Sequence, residues 1–424
     1  MIIHPIEKKI ADGVLELSAS IQWEHNGVGY KNSTWFTPPE RLWYRLDEKY
    51  ADTLSDNHNA FLGSLLVMAM FFKEDVHVKG NISGQLLYNL REYQRTLHFW
   101  RPDWFSVVNV TCDTIVSGTT NFAVSGSMCS YSGGIDSSHT LWTHLPKNEP
   151  LTDFQVTHAL HIPGFDTDGE SLETQKLKID TYTKGLEAEG VALVVVWSNT
   201  RAFHQFDFGE EKGYFAWGSN VAGTSLLFEN LVNRFYFSAD NQHDDPIALT
   251  INHTLLPLLS TDNLKVVLDG GTISKYEKIS DIAQWESTYD KLMVCYKSPD
   301  GLHNCDTCVK CIRTTAVLET LGVLDRYTTF PSITNPKGMR LSLYPREFVY
   351  CMKKPRNFFF RNGEYGYALN YQCAIFLSWV NVYYYDVTKF FEWIYISPIQ
   401  LLFKLSHVLK RRLPLYDKLL LLIK

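Results

Sequence analysis

Residues Gly13 to Ile21 alternate apolar and polar side chains with the two-residue period of a strand that buries one face. The run Phe61 to Phe72 is apolar almost throughout and predicts a helix, and Asp75 to Lys79 predicts another strand. Gly84 to Trp100 has the spacing of an amphipathic helix, and Phe105 to Val110 predicts a closing strand. These elements make an accessory α+β region over residues 1–118 in which no chemical motif lies, so any role in recognising a substrate or partner is left open.

After residue 118 the pattern becomes an exchange of short apolar runs with longer amphipathic ones. Phe122 to Tyr131 is a modest apolar run, in which Val124 to Ser130 is less apolar than buried parallel strands usually are. Val156 to Ile162 predicts a strand, and Asp168 is placed to cap a helix carrying Leu172, Leu177, Ile179, Tyr182 and Leu186, which Gly190 ends. Val191 to Trp197 is the clearest buried strand, Gly218 to Leu231 predicts a helix, and Arg234 to Ala239 and Leu264 to Leu268 predict two more strands. Such alternation over residues 119–324 predicts an α/β, doubly wound parallel sheet, with right-handed crossovers and a ligand crevice at the carboxyl ends of its strands.

At the end of the first of these runs stands Ser132-Gly133-Gly134-Ile135-Asp136-Ser137, followed by residues that can open a helix. Two adjacent glycines let backbone amides turn toward one anion, and a new helix adds unpaired N–H groups and the positive end of its dipole. Ser132 and Ser137 bring hydroxyl donors, and Asp136 either braces the loop or helps hold a magnesium ion that the phosphates mostly ligate. No Gly-Lys-Ser/Thr ending is present, which argues against a P-loop kinase or GTPase. A glycine turn capped by Ser and Asp is the simpler alternative.

Of the eight cysteines, four fall as Cys295-x9-Cys305-x2-Cys308-x2-Cys311. Four thiolates suit one tetrahedral zinc ion and leave it no open position, which makes the expected role structural. Unmetallated thiols or an iron–sulfur cluster remain alternatives. Cys112, Cys129, Cys351 and Cys373 are scattered and read as small buried residues.

The loop resembles the SGGxDS signature of the PP-loop ATP pyrophosphatases, with every fixed position present. The resemblance implies cleavage of ATP between the α and β phosphates, with Ser132, Gly133, Gly134, Ile135, Asp136 and Ser137 around the leaving pyrophosphate and an adenylated intermediate. In such proteins a second turn into a helix often carries a lysine that faces the phosphates. Asp269 to Lys278 is such a turn, Lys275 is the candidate, and a solvated helix lysine is the other reading. Asp136 and Lys275 are thus the candidate catalytic residues. The four cysteines add a second resemblance, to the zinc site of the 7-cyano-7-deazaguanine synthase family, in which a lone cysteine precedes Cys-x2-Cys-x2-Cys. Here the first gap differs slightly and Asp306 replaces a common glycine, while the order of loop then knuckle is kept over roughly residues 120–325.

This second resemblance implies ATP, Mg2+ and Zn2+ as cofactors and a small-molecule carboxylate, a 7-deazaguanine acid, as substrate. Ammonia is the amine of that family. Large synthase-like relatives encoded beside antiphage defence genes leave a protein or peptide amine as an alternative acceptor. Two other classes stay open, a tRNA-modifying sulfurtransferase and a noncatalytic nucleotide-binding scaffold. His161, His253 and the segment Asn199-Thr200-Arg201 are lesser candidates for contact with nucleotide or substrate, the histidines reading more simply as structural.

Composition bounds the rest. The chain has 424 residues and a formal charge of −6, with no electrostatic footprint for nucleic acid. It shows neither a signal-peptide pattern at its start nor an apolar run long enough to span a membrane, and the cytoplasm is the expected location. Residues 325–424 are rich in aromatics, from Phe348 to Trp393, and read as a helical C-terminal region with an aromatic core, base or peptide stacking being the alternative. Leu401 to Lys424 mixes leucines with basic residues and reads as docking on the protein's own core, with a membrane or partner surface as the alternative.

Overall fold

A computed structural model describes residues 1–24, 28–30, 34–117, 126–165, 170–204, 214–243, 251–295, 297–298, 300–305, 307–330 and 353–378. The chain forms two compact units, Met1–Pro336 and Lys337–Lys424. Strands β1 (Ile2–Ile3), β2 (Glu7–Ala11), β3 (Val14–Gln22), β4 (Val28–Tyr30), β5 (Thr34–Phe36) and β6 (Arg41–Asp47) lead into helix α1 (Asn59–Phe72), strand β7 (Val76–Ser83), helix α2 (Gly84–Trp100) and strand β8 (Val110–Val116). Strand β3 forms because its alternation buries Leu15, Leu17, Ala19 and Ile21 on one face. It pairs antiparallel with β6 on one edge and with β2 and then β1 on the other, while β1, β7 and β8 run parallel. The closing strand differs from expectation. Phe105 and Val108 are buried without strand geometry, and the strand begins at Val110.

A second sheet follows, all parallel, from β9 (Ser127–Ser130), β10 (Val156–His161), β11 (Ala192–Val195), β13 (Arg234–Ser238) and β14 (Lys265–Asp269). The fold of this unit is therefore α/β, with one parallel and one mixed sheet. The spatial order is β11-β10-β9-β13-β14, so the direction of winding reverses at β9. The polar character of β9 has a local cause. Ser130 Oγ lies 3.2 Å from Ser238 Oγ and accepts the Ser238 N–H at 3.2 Å, which satisfies hydroxyls inside the sheet. Helices α3 (Ile135–Thr143), α4 (Leu172–Glu187), α5 (Tyr214–Ser225) and α6 (Lys275–Ile282) alternate with these strands, and α7 (Val309–Thr320) follows. Ser171 caps α4 by accepting the Thr174 N–H, while Asp168 lies outside the described residues.

The apolar run Val191 to Trp197 does not make one strand. After Val195 the chain leaves the parallel sheet, and β12 (Trp197–Ser198) pairs antiparallel with β6 at the edge of the first sheet. Two further links make the halves one body. Helix α1, buried on nearly every side, crosses α5 where Gly63 and Gly223 meet, and a Cβ added at Gly223 would stand 2.5 Å from Ser64 Oγ. The carboxyl group of Glu229 accepts from Ser55, Asn57, Asn59 and Thr261. Buried side chains from Met1 to Val266 form one continuous core across both sheets.

The second unit is described over α8 (Lys353–Arg361) and a helix at 365–378. Phe359 is buried and stacks on Tyr367 and Tyr371, a small aromatic core, whereas Phe360 and Phe376 are exposed. Phe348, Tyr350, Trp379, Tyr383 to Tyr385, Phe390, Phe391, Trp393 and residues 401–424 lie outside the described residues. No helix among the described residues is long and apolar enough to cross a membrane.

Candidate functional site

The loop of residues 131–134 leaves the carboxyl end of β9, where the sheet order reverses, and α3 starts at Ile135. Gly133 has φ +75°, and a Cβ there would stand 2.3 Å from Tyr182 Oη. The position is therefore restricted to glycine by backbone and by neighbour together. Tyr182 reaches the loop from α4 and donates to the Ser132 carbonyl at 3.2 Å. Ser137 Oγ accepts the Ser132 N–H and donates to the Gly134 carbonyl, both at 3.2 Å, which closes the turn from within. The N–H groups of Gly133, Gly134, Ile135, Asp136 and Ser137 have no acceptor among the described residues. Five open donors at one helix start are the raw material of an anion cradle.

A cationic wall stands against this loop. Ser274 and Glu277 form a capping box that starts α6, and α6 packs on α3. Lys275 pairs with Asp136 Oδ2, and Lys278, whose side chain is 3% exposed, pairs with Asp136 Oδ1 at 3.1 Å and donates to the Ala239 carbonyl at 2.5 Å. Burial raises the Asp136 pKa, yet the two ammoniums outweigh it and hold the carboxyl well below the usual range. Burial pushes Lys275 down to about 8; Asp136 opposes this, and the charges of Arg313 and Lys278 add to it. Each Asp136 oxygen is paired with one ammonium, so Asp136 braces the two cations. Three bonds fix the relation of α3 to β14 and α6: Thr140 Oγ1 to Asp269 at 2.8 Å, His144 Nε2 to Asp269 at 3.1 Å and His139 Nε2 to Asp281 at 3.0 Å.

The four cysteines come together, with all their sulfurs within 4.8 Å of one another. Cys308 Sγ is 3.3 Å from Cys311 Sγ and 3.9 Å from Cys295 Sγ, and Cys305 Sγ is 3.9 Å from Cys311 Sγ. Thiolates bound at ~2.3 Å around one tetrahedral zinc stand about 3.8 Å apart, so the set fits such an ion. The N–H groups of Lys297, Cys308 and Cys311 donate to the sulfurs of Cys295, Cys305 and Cys308 at 3.1, 3.3 and 3.5 Å, which favours the thiolate form. The cluster can hold a metal such as zinc.

The cluster is not remote from the loop. Asn304 accepts the N–H groups of Val294 and Cys295 at 2.9 and 3.1 Å, and two residues before Cys295 the Met293 N–H donates to the Gly133 carbonyl at 2.9 Å. Lys275 and Asp136, far apart in sequence, are thus in contact, and the cysteine segment touches the same loop.

The lesser candidates fall elsewhere. His161 Nδ1 lies 2.9 Å from the Tyr131 carbonyl, and burial pushes its pKa down to about 4, so it supports the loop as a neutral ring. His253 is exposed, with its ring against His243. Asn199 clamps β6, accepting the Trp43 N–H and donating to the Arg41 carbonyl, and Arg201 donates to the Gly164 and Phe165 carbonyls after β10. Cys129 is buried as expected and Cys112 partly so, Cys373 is exposed, and Cys351 lies outside the described residues. Lys278 is the residue that sequence reasoning passed over; its one signal was its place a turn beyond Lys275.

Comparison with known families, with curated proteins and with solved structures returns no match.

Proposed function

We propose that this protein is an ATP-dependent, adenylating PP-loop ligase on a doubly wound sheet, forming a carbon–nitrogen bond with release of AMP and pyrophosphate. The observation that carries the reading is the juxtaposition of five open N–H donors at the start of α3 with the Lys275–Asp136–Lys278 arrangement, at the strand where the sheet reverses. In this reading the loop amides and the two lysines receive the β and γ phosphates. A substrate carboxylate oxygen attacks the α-phosphorus, the bond to the bridging β oxygen breaks, and charge leaving as pyrophosphate meets fixed donors that need no reorganisation. An amine then attacks the acyl carbon and AMP leaves. No thiol takes part, because the four clustered cysteines are suited to a metal.

The resemblance of loop and knuckle to the 7-cyano-7-deazaguanine synthase family supplies the acid, a 7-deazaguanine carboxylate. Ammonia is the acceptor that the resemblance implies, and a protein or peptide amine presented by the accessory N- and C-terminal regions, in a role in antiphage defence, is the alternative. Incubation with ATP and such a carboxylate, with and without an amine, should release AMP and pyrophosphate in equal amounts. No pyrophosphate under either condition overturns the substrate assignment. A mass increase matching a deazaguanine amide on a candidate partner protein identifies the acceptor.

A further inference from the structure

Lys275 and Lys278 share Asp136, but a third cation, on the helix packed against theirs, has no carboxylate of its own among the described residues. Arg313 lies in α7, two residues beyond Cys311, and α7 packs on α6, the helix that carries both lysines. Its Nε is buried and has no acceptor, and no ion pair engages its guanidinium among the described residues. Its charge is near enough to act on Lys275. Lys275 and Lys278 act on Asp136 and on Asp240, which is already bonded to Asn241, and neither carboxylate is paired with Arg313 among the described residues. A buried N–H without an acceptor costs free energy, and a ligand that supplies the missing oxygen removes that cost.

We propose that Arg313 is a binding residue for the pyrophosphoryl part of the ligand, and that the cysteine cluster serves to aim it. This rests on the reading of the loop as a phosphate cradle. A planar guanidinium matches two phosphate oxygens at once, which an ammonium does not. Its placement follows from the cluster. Cys308 is the N-cap of α7, its sulfur accepts the Cys311 N–H, and Arg313 comes half a turn later. The segments that carry the cysteines therefore meet the surroundings of the loop twice, through the Met293 N–H on the Gly133 carbonyl and through the packing of α7, which carries Arg313, on α6, which carries the lysines. The ligand class is an anion with two or more linked phosphates, whose additional oxygens can serve a guanidinium as well as the loop amides and the lysines.

The test is titration calorimetry of full-length protein with inorganic pyrophosphate and, separately, with AMP, on wild type, Arg313→Gln and Arg313→Lys at equal metal content. Arg313→Gln should weaken pyrophosphate binding about tenfold or more and leave AMP binding within about twofold. Arg313→Lys, which keeps the charge but not the planar fork, should recover part of the loss. The assignment is overturned if Arg313→Gln binds pyrophosphate like wild type, if it loses AMP and pyrophosphate equally, if Arg313→Lys is as weak as Arg313→Gln, or if wild type does not bind pyrophosphate. Should pyrophosphate binding depend on Arg313 while no carboxylate elicits AMP from ATP, the ligase reading fails and the assignment of Arg313 stands.

Discussion

The Met293 N–H donates to the carbonyl oxygen of Gly133 at 2.9 Å, which ties the segment entering the cysteine cluster to the middle of the glycine loop. Metal removal should therefore be felt at the loop. Metal binding to four thiolates is coupled to folding of the segment that carries them. Chelation, or Cys308→Ser, should lower the melting temperature by on the order of 10 °C and raise hydrogen exchange at Tyr131 and Ser132, whose N–H groups have acceptors, as well as at 293–311. Exchange that rises only within the knuckle would show that the bond transmits nothing.

Two glycines with nearly the same backbone separate conformational strain from crowding. Gly133 and Gly190 have φ +75° and +76°, but a Cβ at Gly190 meets nothing within 4 Å, whereas at Gly133 it overlaps the Tyr182 phenol. Gly190→Ala should cost about 1–2 kcal/mol, the cost of a left-handed alanine. Gly133→Ala adds overpacking and should cost on the order of 3–5 kcal/mol, with loss of phosphate binding. Equal losses in denaturant titrations of the two variants would refute the crowding.

Lys275 gives a pH dependence whose sign differs for stability and for binding. Burial lowers it from 10.5 to about 8 in the folded chain. Between those values the unfolded chain holds a proton that the folded chain has released, so this residue favours folding as pH rises through that window. Anion binding needs the ammonium, so affinity for ATP should fall as pH rises through about 8. Lys275→Arg, charged throughout, should flatten the part of the profile that belongs to this residue, and any titration of the ligand itself is common to both proteins. An unchanged slope in Lys275→Arg would remove Lys275 from the phosphate site.

These residues also mark how far the pattern of the chain reaches. The loop and the four cysteines are local in sequence, and the turn into a helix and the four-sulfur cluster they form are legible from spacing alone. The strands of the parallel sheet are legible too, because burial on both faces leaves short apolar runs. What spacing cannot carry is a partner more than a hundred residues away. Lys278 is one more lysine on a short helix until Asp136 is placed beside it, and Arg313 gains meaning only from the packing of α7 on α6. The run Val191 to Trp197 misleads for a similar reason, since apolar character does not reveal that its two ends belong to different sheets.

Glu229 joins those sheets, and among the described residues its carboxyl group has only neutral partners. Ser55 Oγ and Thr261 Oγ1 donate at 2.6 and 2.7 Å, Asn59 Nδ2 at 3.3 Å, and Asn57 also donates. The side chain is buried, and no water-exposed conformation is needed to satisfy it. Glu229→Gln replaces one acceptor oxygen with an NH2 that faces these donors, which should cost about 2–3 kcal/mol. At roughly 2–4 °C per kcal/mol the melting temperature should fall by about 4–12 °C. The cost arises where the N-terminal region meets the parallel sheet, so metal content and pyrophosphate affinity below the transition should match wild type. A Glu229→Gln variant that melts with wild type would show that the hydroxyls reorient without penalty. Loss of metal in that variant would place the coupling between the halves deeper than these four contacts.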